Sequence, residues 1–188
     1  GCTHDCKYCY SKEMAIRFRR KTAENWKDEE VREKSLLKKV KMKDGTIMFP
    51  SSHDIHPNYL SESIFFLEKL LISGNNVLIV SKPHLTSIKK ICNQFSNYKN
   101  NILFRFTIGS SNSSILKFWE PGAPNFSERL SALKFAYNKG FKTSVSCEPM
   151  LDDKISIVIE KVIPFITDHI WIGKANFLLK RLKMNGVY

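Results

Sequence analysis

Short apolar runs that alternate with helical patterns constrain the fold of this chain more than any other feature. Between these runs apolar residues recur at helical spacing, as in Leu60, Ile64 and Leu67. Strands separated by helices predict βαβ units and a parallel sheet, so the expected fold class is α/β, with repeats over residues 46–175. The predicted strands are Thr46–Phe49, Val77–Val80, Ile102–Ile108, Thr143–Cys147 and Ile170–Ile172.

The segments between the strands carry further local signals. Residues 11–43 are charged and helix-prone, which predicts one or two surface helices. A long loop is expected after Ile108 as far as Pro124, and Asn125 with Glu128 three residues later resembles a capping box that begins a helix. An amphipathic helix is predicted over 155–166, and residues 176–188 are expected to be a tail. Cys92 lies on the apolar face of a helical pattern and is predicted to be a small core residue.

Composition limits the classes of protein that fit. The 188 residues are 43% hydrophobic, which suits one domain over 1–188 with a sizeable core. A formal charge of +12 favours polyanions such as nucleic acid, although a basic surface without a specific partner has the same composition. No apolar run is long enough to span a bilayer, and isolated cysteines suggest a reducing compartment, so a soluble cytoplasmic protein is expected.

Three cysteines crowd into the first ten residues as Cys2-x₃-Cys6-x₂-Cys9. A disulfide would pair two of them and leave the third alone, whereas thiolates this close suit one soft-metal centre. On a four-iron cluster, three thiolates leave one iron open to an exogenous ligand. With His4 the set becomes Cys₃His, which could instead close a structural zinc site. The spacing favours an iron–sulfur loop over zinc but leaves both open.

This spacing, with Tyr8 directly before the last cysteine, resembles the cluster loop of the radical S-adenosylmethionine (SAM) superfamily. The resemblance implies a [4Fe–4S] cluster and SAM as cofactors, with the open iron chelated by SAM. It further implies reductive cleavage of SAM to methionine and a 5′-deoxyadenosyl radical. The implied fold is a partial (β/α)₆-type barrel. Because the first barrel strand precedes the loop in that superfamily, the chain is expected to be a fragment that lacks this strand.

Several separated segments narrow the resemblance to the spore photoproduct lyase family and the wider group of DNA-repair-photolyase-like proteins. They extend from the first residue to about Pro149. The segments that resemble the family are Val80–His84, Leu103–Ile108, Trp119–Gly122 and Phe126–Leu130.

The resemblance implies roles for the residues of the cluster loop. Cys2, Cys6 and Cys9 would hold the cluster. Tyr8 would flank the adenine of SAM, and Tyr10 would line the cavity near the substrate.

Residues at the strand ends would complete the cofactor site. Lys82 would pair with the methionyl carboxylate of SAM, a role that suits a point charge on a flexible stem. Arg105 and Thr107 would contact the ribose or the methionyl group, and Glu120 in the loop that follows belongs to the same set of candidates. Because an unpaired guanidinium in an apolar strand is costly, an ion pair between Arg105 and a core carboxylate such as Glu120 is the alternative.

The loop of residues 50–57 departs from the pattern of photoproduct lyases. Those enzymes place a cysteine just past the second strand, to return a hydrogen atom to the product radical, and this loop has none. Ser52, His53, Asp54 and His56 could bind SAM or handle protons, or the loop could be capped by its own side chains. Cys147 is a candidate replacement donor of the hydrogen atom, with a buried, inert thiol as the alternative.

Together these observations predict a radical SAM enzyme whose substrate the sequence does not assign. Nucleic acid is the leading substrate class, and a reductant such as flavodoxin or ferredoxin is an expected partner. A zinc- or cluster-bearing nucleic-acid-binding module without catalysis is the alternative. Lys82, Arg105 and the Glu120 loop distinguish the two, because a passive binder would not need them.

Overall fold

Five parallel strands form one open sheet in the computed structural model, which describes residues 1–187. Each strand pairs in parallel with the next one along the chain, so the order is β1-β2-β3-β4-β5. The sheet is not closed into a barrel. The predicted α/β class and all five predicted strands are confirmed. The bounds are β1 Thr46–Phe49, β2 Asn76–Ser81, β3 Ile102–Thr107, β4 Lys142–Cys147 and β5 Ile170–Ile172.

Helices connect these strands and flank them at both ends. Their bounds are α1 Tyr10–Arg17, α2 Glu33–Leu37, α3 Leu60–Ile72, α4 Leu85–Gln94, α5 Ser113–Trp119, α6 Phe126–Asn138, α7 Ile155–Val162 and α8 Leu178–Met184. The prediction of one or two helices in residues 11–43 is confirmed by α1 and α2. Among residues 1–187, no helix combines the length and the apolar character that a membrane span needs.

Three sequence-based expectations about the helices were wrong. The long loop after β3 contains α5, which begins because the Asn112 side chain accepts hydrogen bonds from the backbone N–H groups of Ser114 and Ile115. The helix predicted over 155–166 ends at Val162, followed by a 3₁₀ turn with proline near its start. The expected tail contains α8, whose sequence LLKRLKM is too short for a clear period.

The core lies on one face of the sheet. Val77 and Ile79 of β2 and Phe104 and Phe106 of β3 are fully buried there, under side chains from α3, α4, α6 and α7. Because successive side chains of a strand point to opposite faces, the residues between them face the other side. Cys92 is fully buried in this core, which confirms the prediction for it.

The predicted capping box at Asn125 is half formed. The Asn125 side chain accepts a hydrogen bond of 2.9 Å from the backbone N–H of Glu128. The Glu128 carboxylate does not return to Asn125, and instead accepts a hydrogen bond of 3.0 Å from the backbone N–H of Leu85. The start of α6 is therefore tied to the start of α4.

Candidate functional site

A cavity of about 480 Å³ lies at the carboxyl ends of the strands. The residues that line it belong to the cluster loop 1–10, the loop after β1 and the ends of β2, β3 and β4. The segment after β5 completes the wall with Lys174, Ala175 and Asn176. In parallel α/β sheets this edge is where ligands bind. The fold thus brings the N-terminal cysteines and the polar strand ends together.

The three cysteines of the loop all line this cavity. Cys2 and Cys6 are buried and Cys9 is half-buried. The loop is held by backbone contacts, because the N–H of Cys2 donates to the carbonyl of Trp26 and the N–H of Lys7 donates to the carbonyl of Trp119. The sequence spacing therefore identified groups that share one cavity.

Gly122 lies against the backbone of the cluster loop. Its N–H donates to the carbonyl of His4, and a Cβ at Gly122 would lie 2.1 Å from the carbonyl oxygen of Thr3. Because backbone atoms would meet the added carbon, no side-chain movement could relieve that contact. The glycine of the Trp119–Gly122 segment thus lets the loop after α5 support the cluster loop.

The donor set fits an iron–sulfur cluster. Burial raises the pKa of Cys2 to about 12, and burial also raises the pKa of Cys6, so their thiolates need a positive partner to form. Cys9 caps α1, where the helix dipole favours a negative sulfur. On the same wall the buried indole N–H of Trp26 has no hydrogen-bond partner among the described residues. These groups would be satisfied by a bound cofactor.

The zinc alternative fits less well, because both ring nitrogens of His4 lie close to other side chains. Its Nδ1 lies 3.3 Å from an Asp54 carboxylate oxygen, and its Nε2 lies 3.2 Å from Nε2 of His84. Within residues 1–187, no three His, Cys, Asp or Glu side chains are grouped to hold a single metal ion. A structural zinc site needs four donors on one ion, whereas in a cluster each thiolate binds its own iron. The contacts of His4 therefore argue against the Cys₃His zinc set.

Asp54 connects the loop after β1 to the end of β2. Its carboxylate accepts hydrogen bonds from the Lys82 N–H at 2.7 Å, the Ile55 N–H at 2.8 Å and the Ser81 hydroxyl. Burial alone would raise the pKa of Asp54, but His4, Lys82 and Ser81 hold that pKa well below its usual range. Asp54 lines the cavity, but both of its carboxylate oxygens already accept hydrogen bonds from other groups of the protein.

We expect Asp54→Asn to lower the free energy of unfolding by about 2 kcal/mol at pH 7, because an amide N–H would face existing donors. The folded-state pKa of Asp54 is depressed, so the carboxylate stabilises the fold above its unfolded pKa of about 3.9. That contribution is lost as the pH falls below this value, towards the folded-state pKa. Urea unfolding between pH 3 and 7 should therefore show the two proteins converging at acid pH. A constant difference across the range would contradict this role.

Lys82 follows β2 and places its ammonium group in the cavity without a partner. Its Nζ lies 5.7 Å from the centre of the Tyr8 ring, and it has no hydrogen bond or ion pair within the described part of the chain. Burial alone would lower the pKa of Lys82, but Cys6, Glu120 and Asp54 raise it above its ordinary value. The ammonium is therefore held in its charged form without a direct ion pair, which suits an anionic ligand group.

Glu120 lies behind Tyr8 rather than on the cavity wall. It forms an ion pair with Arg129 of α6, and both side chains are completely buried. The hydroxyl of Tyr8 donates to the other carboxylate oxygen, and burial together with the charge of Glu120 raises the pKa of Tyr8. Direct contact of Glu120 with a cofactor, expected from the sequence, does not match this position. Glu120 instead fixes the ring that does face the cavity.

Arg129 is the residue of this region that sequence reasoning missed. It also donates to the carbonyls of Pro124 and Thr107, so one guanidinium joins α6, the loop before it and the end of β3. A signal was present, since Arg129 shares a helical face with the buried Ala132, Leu133 and Ala136. A charge on an apolar face needs a buried partner.

Thr107 and Arg105 are separated by the structure. Thr107 lines the cavity, whereas Arg105, two residues earlier on the same face of β3, is not among the lining residues. Arg105 donates to the Ser144 hydroxyl at 3.2 Å and lies 3.8 Å from Asp168. Arg105 therefore forms an ion pair with a carboxylate, as the alternative expected, but its partner is Asp168 and not Glu120. Its guanidinium also stacks on Trp171, with 5.0 Å between Cζ and the ring centre.

The remaining candidates divide between the wall and the core. Tyr10, Ser52 and His53 line the cavity, and the exposed Tyr10 donates a hydrogen bond of 2.9 Å to the carbonyl of Ser51. Cys147 is fully buried in the hydrophobic core and is not among the lining residues. This position agrees with the alternative of a buried thiol, and a role of Cys147 as a hydrogen-atom donor stays a prediction.

The fold is an open α/β sheet with three thiols and a lysine at the edge where parallel sheets bind ligands. The family model of the radical SAM superfamily matches residues 1–154. The chain therefore belongs to the radical SAM superfamily.

Two individual similarities accompany this match. Over 162 residues the chain is 26% identical to an uncharacterized protein, ORF301, of Acidianus two-tailed virus, covering 80% of this chain and 53% of that protein. The fold is similar to that of a cysteine-to-alanine mutant of spore photoproduct lyase with dinucleoside spore photoproduct, with a TM-score of 0.63 and 14% identity. That superposition covers 98% of this chain and 58% of the lyase. The chain thus spans about half the length of these relatives.

Proposed function

We propose that this protein is a radical SAM enzyme that holds a [4Fe–4S] cluster through Cys2, Cys6 and Cys9. The observation that carries the proposal is that three thiols and the unpaired ammonium of Lys82 share one cavity. When bound, the cluster supplies one electron to SAM, whose cleavage yields methionine and a 5′-deoxyadenosyl radical able to abstract a hydrogen atom. The protein supplies ligation, orientation and a site that excludes water.

The residues around the cavity would orient SAM by complementary charge and shape. Lys82 would hold the carboxylate, because its ammonium lacks an internal partner. Tyr8, fixed by Glu120 at its hydroxyl, would present a rigid ring face to the adenine. Thr107 would offer a hydroxyl at the end of β3, and burial of Cys2 and Cys6 would keep water from the thiolates.

Nucleic acid is the proposed substrate class, supported by the formal charge of +12 and by one surface feature. Phe18 is 58% exposed just after α1, with the guanidinium carbons of Arg17 and Arg20 within 5.8 Å and 5.5 Å of its ring centre. Aromatic and basic groups together suit stacked bases and phosphates. A flavodoxin or ferredoxin is the proposed electron donor.

Anaerobic reconstitution with iron and sulfide, followed by dithionite and SAM, tests the proposal. We expect 5′-deoxyadenosine to form with the native protein and to be absent for Cys6→Ala. Cys92→Ala is the matched control, because Cys92 is a core thiol remote from the cavity and should leave the reaction intact. Uptake of zinc in place of iron, or a cluster that never cleaves SAM, would overturn the enzyme proposal and favour a nucleic-acid-binding module.

A further inference from the structure

The C-terminal helix α8 contacts the cluster loop directly. The side-chain amide of Asn185, which caps the end of α8, donates a hydrogen bond of 3.0 Å to the carbonyl of Lys7. One turn earlier, Nη1 of Arg181 donates a hydrogen bond of 3.2 Å to the carbonyl of Tyr8. Two successive carbonyls of the loop therefore bind side chains from the opposite end of the described chain.

A second set of contacts fixes these two donors. Lys12 of α1 is buried, and its ammonium donates to Oδ1 of Asn185 at 2.7 Å and to Asp5 at 2.9 Å. Nε of Arg181 lies 3.2 Å from a carboxylate oxygen of Glu13, also in α1. Both polar atoms of the Asn185 amide are thus engaged, since its nitrogen donates to the carbonyl of Lys7 and also, at 2.9 Å, to the carbonyl of Arg181.

The carbonyls of Lys7 and Tyr8 lie between two cysteines of the cluster loop. Lys7 and Tyr8 are the only residues between Cys6 and Cys9, so rotation of either peptide would move a sulfur. Both are backbone acceptors, and Arg181 in addition lines the cavity. Hydrogen bonds outside the ligand set are known to tune metal affinity by orienting the ligands.

We propose that Asn185 and Arg181 are positioning residues of the cluster loop, acting through the carbonyls of Lys7 and Tyr8. This proposal rests on the proposed function, since it assumes that Cys6 and Cys9 hold a cluster. The helix holds the peptides between the two cysteines in the orientation that directs both sulfurs into the cavity. Without these donors the loop would fold, but its sulfurs would sample a wider range of positions.

Asn185→Asp tests the proposal with almost no change in shape. The carboxylate still accepts from Lys12, but it has no N–H for the carbonyl of Lys7 and repels it. After reconstitution, we expect iron to be lost to a chelator about tenfold faster than from the native protein, as for other partners outside a ligand set. We also expect a changed electron paramagnetic resonance spectrum of the reduced cluster, and a cooperative thermal transition of the apoprotein checks that the variant folds.

Lys180→Ala is the matched control, because Lys180 lies on the same helix and, among residues 1–187, forms an ion pair with Glu13 and no contact with the cluster loop. It should lose iron at the native rate, whereas Arg181→Ala should lose iron faster and Arg181→Lys should restore part of the retention. Native iron retention and an unchanged spectrum in Asn185→Asp would overturn the positioning role. Failure of the native protein to take up any cluster would instead be a failure of the proposed function.

Discussion

Arg129→Met is expected to lower the free energy of unfolding by about 3–5 kcal/mol, because it leaves the buried Glu120 carboxylate without its charged partner. The guanidinium also satisfies the carbonyls of Pro124 and Thr107, which methionine cannot do. Denaturant unfolding of the apoprotein measures the loss through the transition midpoint. Since Glu120 fixes Tyr8, we also expect weaker docking of the cluster loop.

A double variant distinguishes two causes of the lost stability, the unpaired charge of Glu120 and the lost packing of Arg129. Glu120→Gln added to Arg129→Met removes the buried charge and keeps a hydrogen-bond acceptor for Tyr8. The double variant should therefore be more stable than Arg129→Met alone, by at least about 1 kcal/mol. A double variant as unstable as the sum of the two single variants would show that the charge is not the cause.

Lys82→Met should weaken SAM binding by about tenfold to a hundredfold, the loss expected when a charged hydrogen-bond partner worth about 1.5–3 kcal/mol is removed. The long apolar side chain of methionine keeps the stem volume, so the cavity wall is preserved. Calorimetric titration of the reconstituted protein with SAM measures the dissociation constant directly. Iron content should equal that of the native protein, because Lys82 is not a ligand.

Lys90→Met is the control for a general effect of charge. Lys90 is exposed on α4, outside the cavity, and its loss changes the net charge of the protein equally. We expect native affinity for this variant. Equal affinities of the native protein and Lys82→Met would show that the carboxylate of SAM is bound elsewhere.

Most of the sheet could be predicted from the sequence because its strands are buried and carry strong local signals. The runs at Val77–Val80 and Ile102–Ile108 are apolar on the core face and bounded by turns. The helices α5 and α8 were missed for a physical reason. Both are seven residues long, and helices that short are set by a cap or by tertiary contacts rather than by a repeated apolar pattern.

Some residues of the candidate site could likewise be assigned from the sequence, and others could not. The three cysteines could be assigned from their spacing in the sequence. Lys82 could be assigned because it follows a predicted strand. The partners of Glu120 and Arg105 could not, because Arg129 and Asp168 approach them through packing of separate elements. Cys147 was ambiguous for a related reason, since sequence shows that a thiol ends a strand but not which face it occupies.

The contact between α8 and the cluster loop has a consequence for the order of synthesis. Lys7 precedes its hydrogen-bond partner Asn185 by 178 positions, so a ribosome completes nearly the whole described chain before the two can meet. Domains that fold during translation do so from the N-terminus, yet this loop is fastened by the last helix described. The contacts that Asn185 and Arg181 make with the cluster loop therefore form only after all five strands of the sheet have been synthesised.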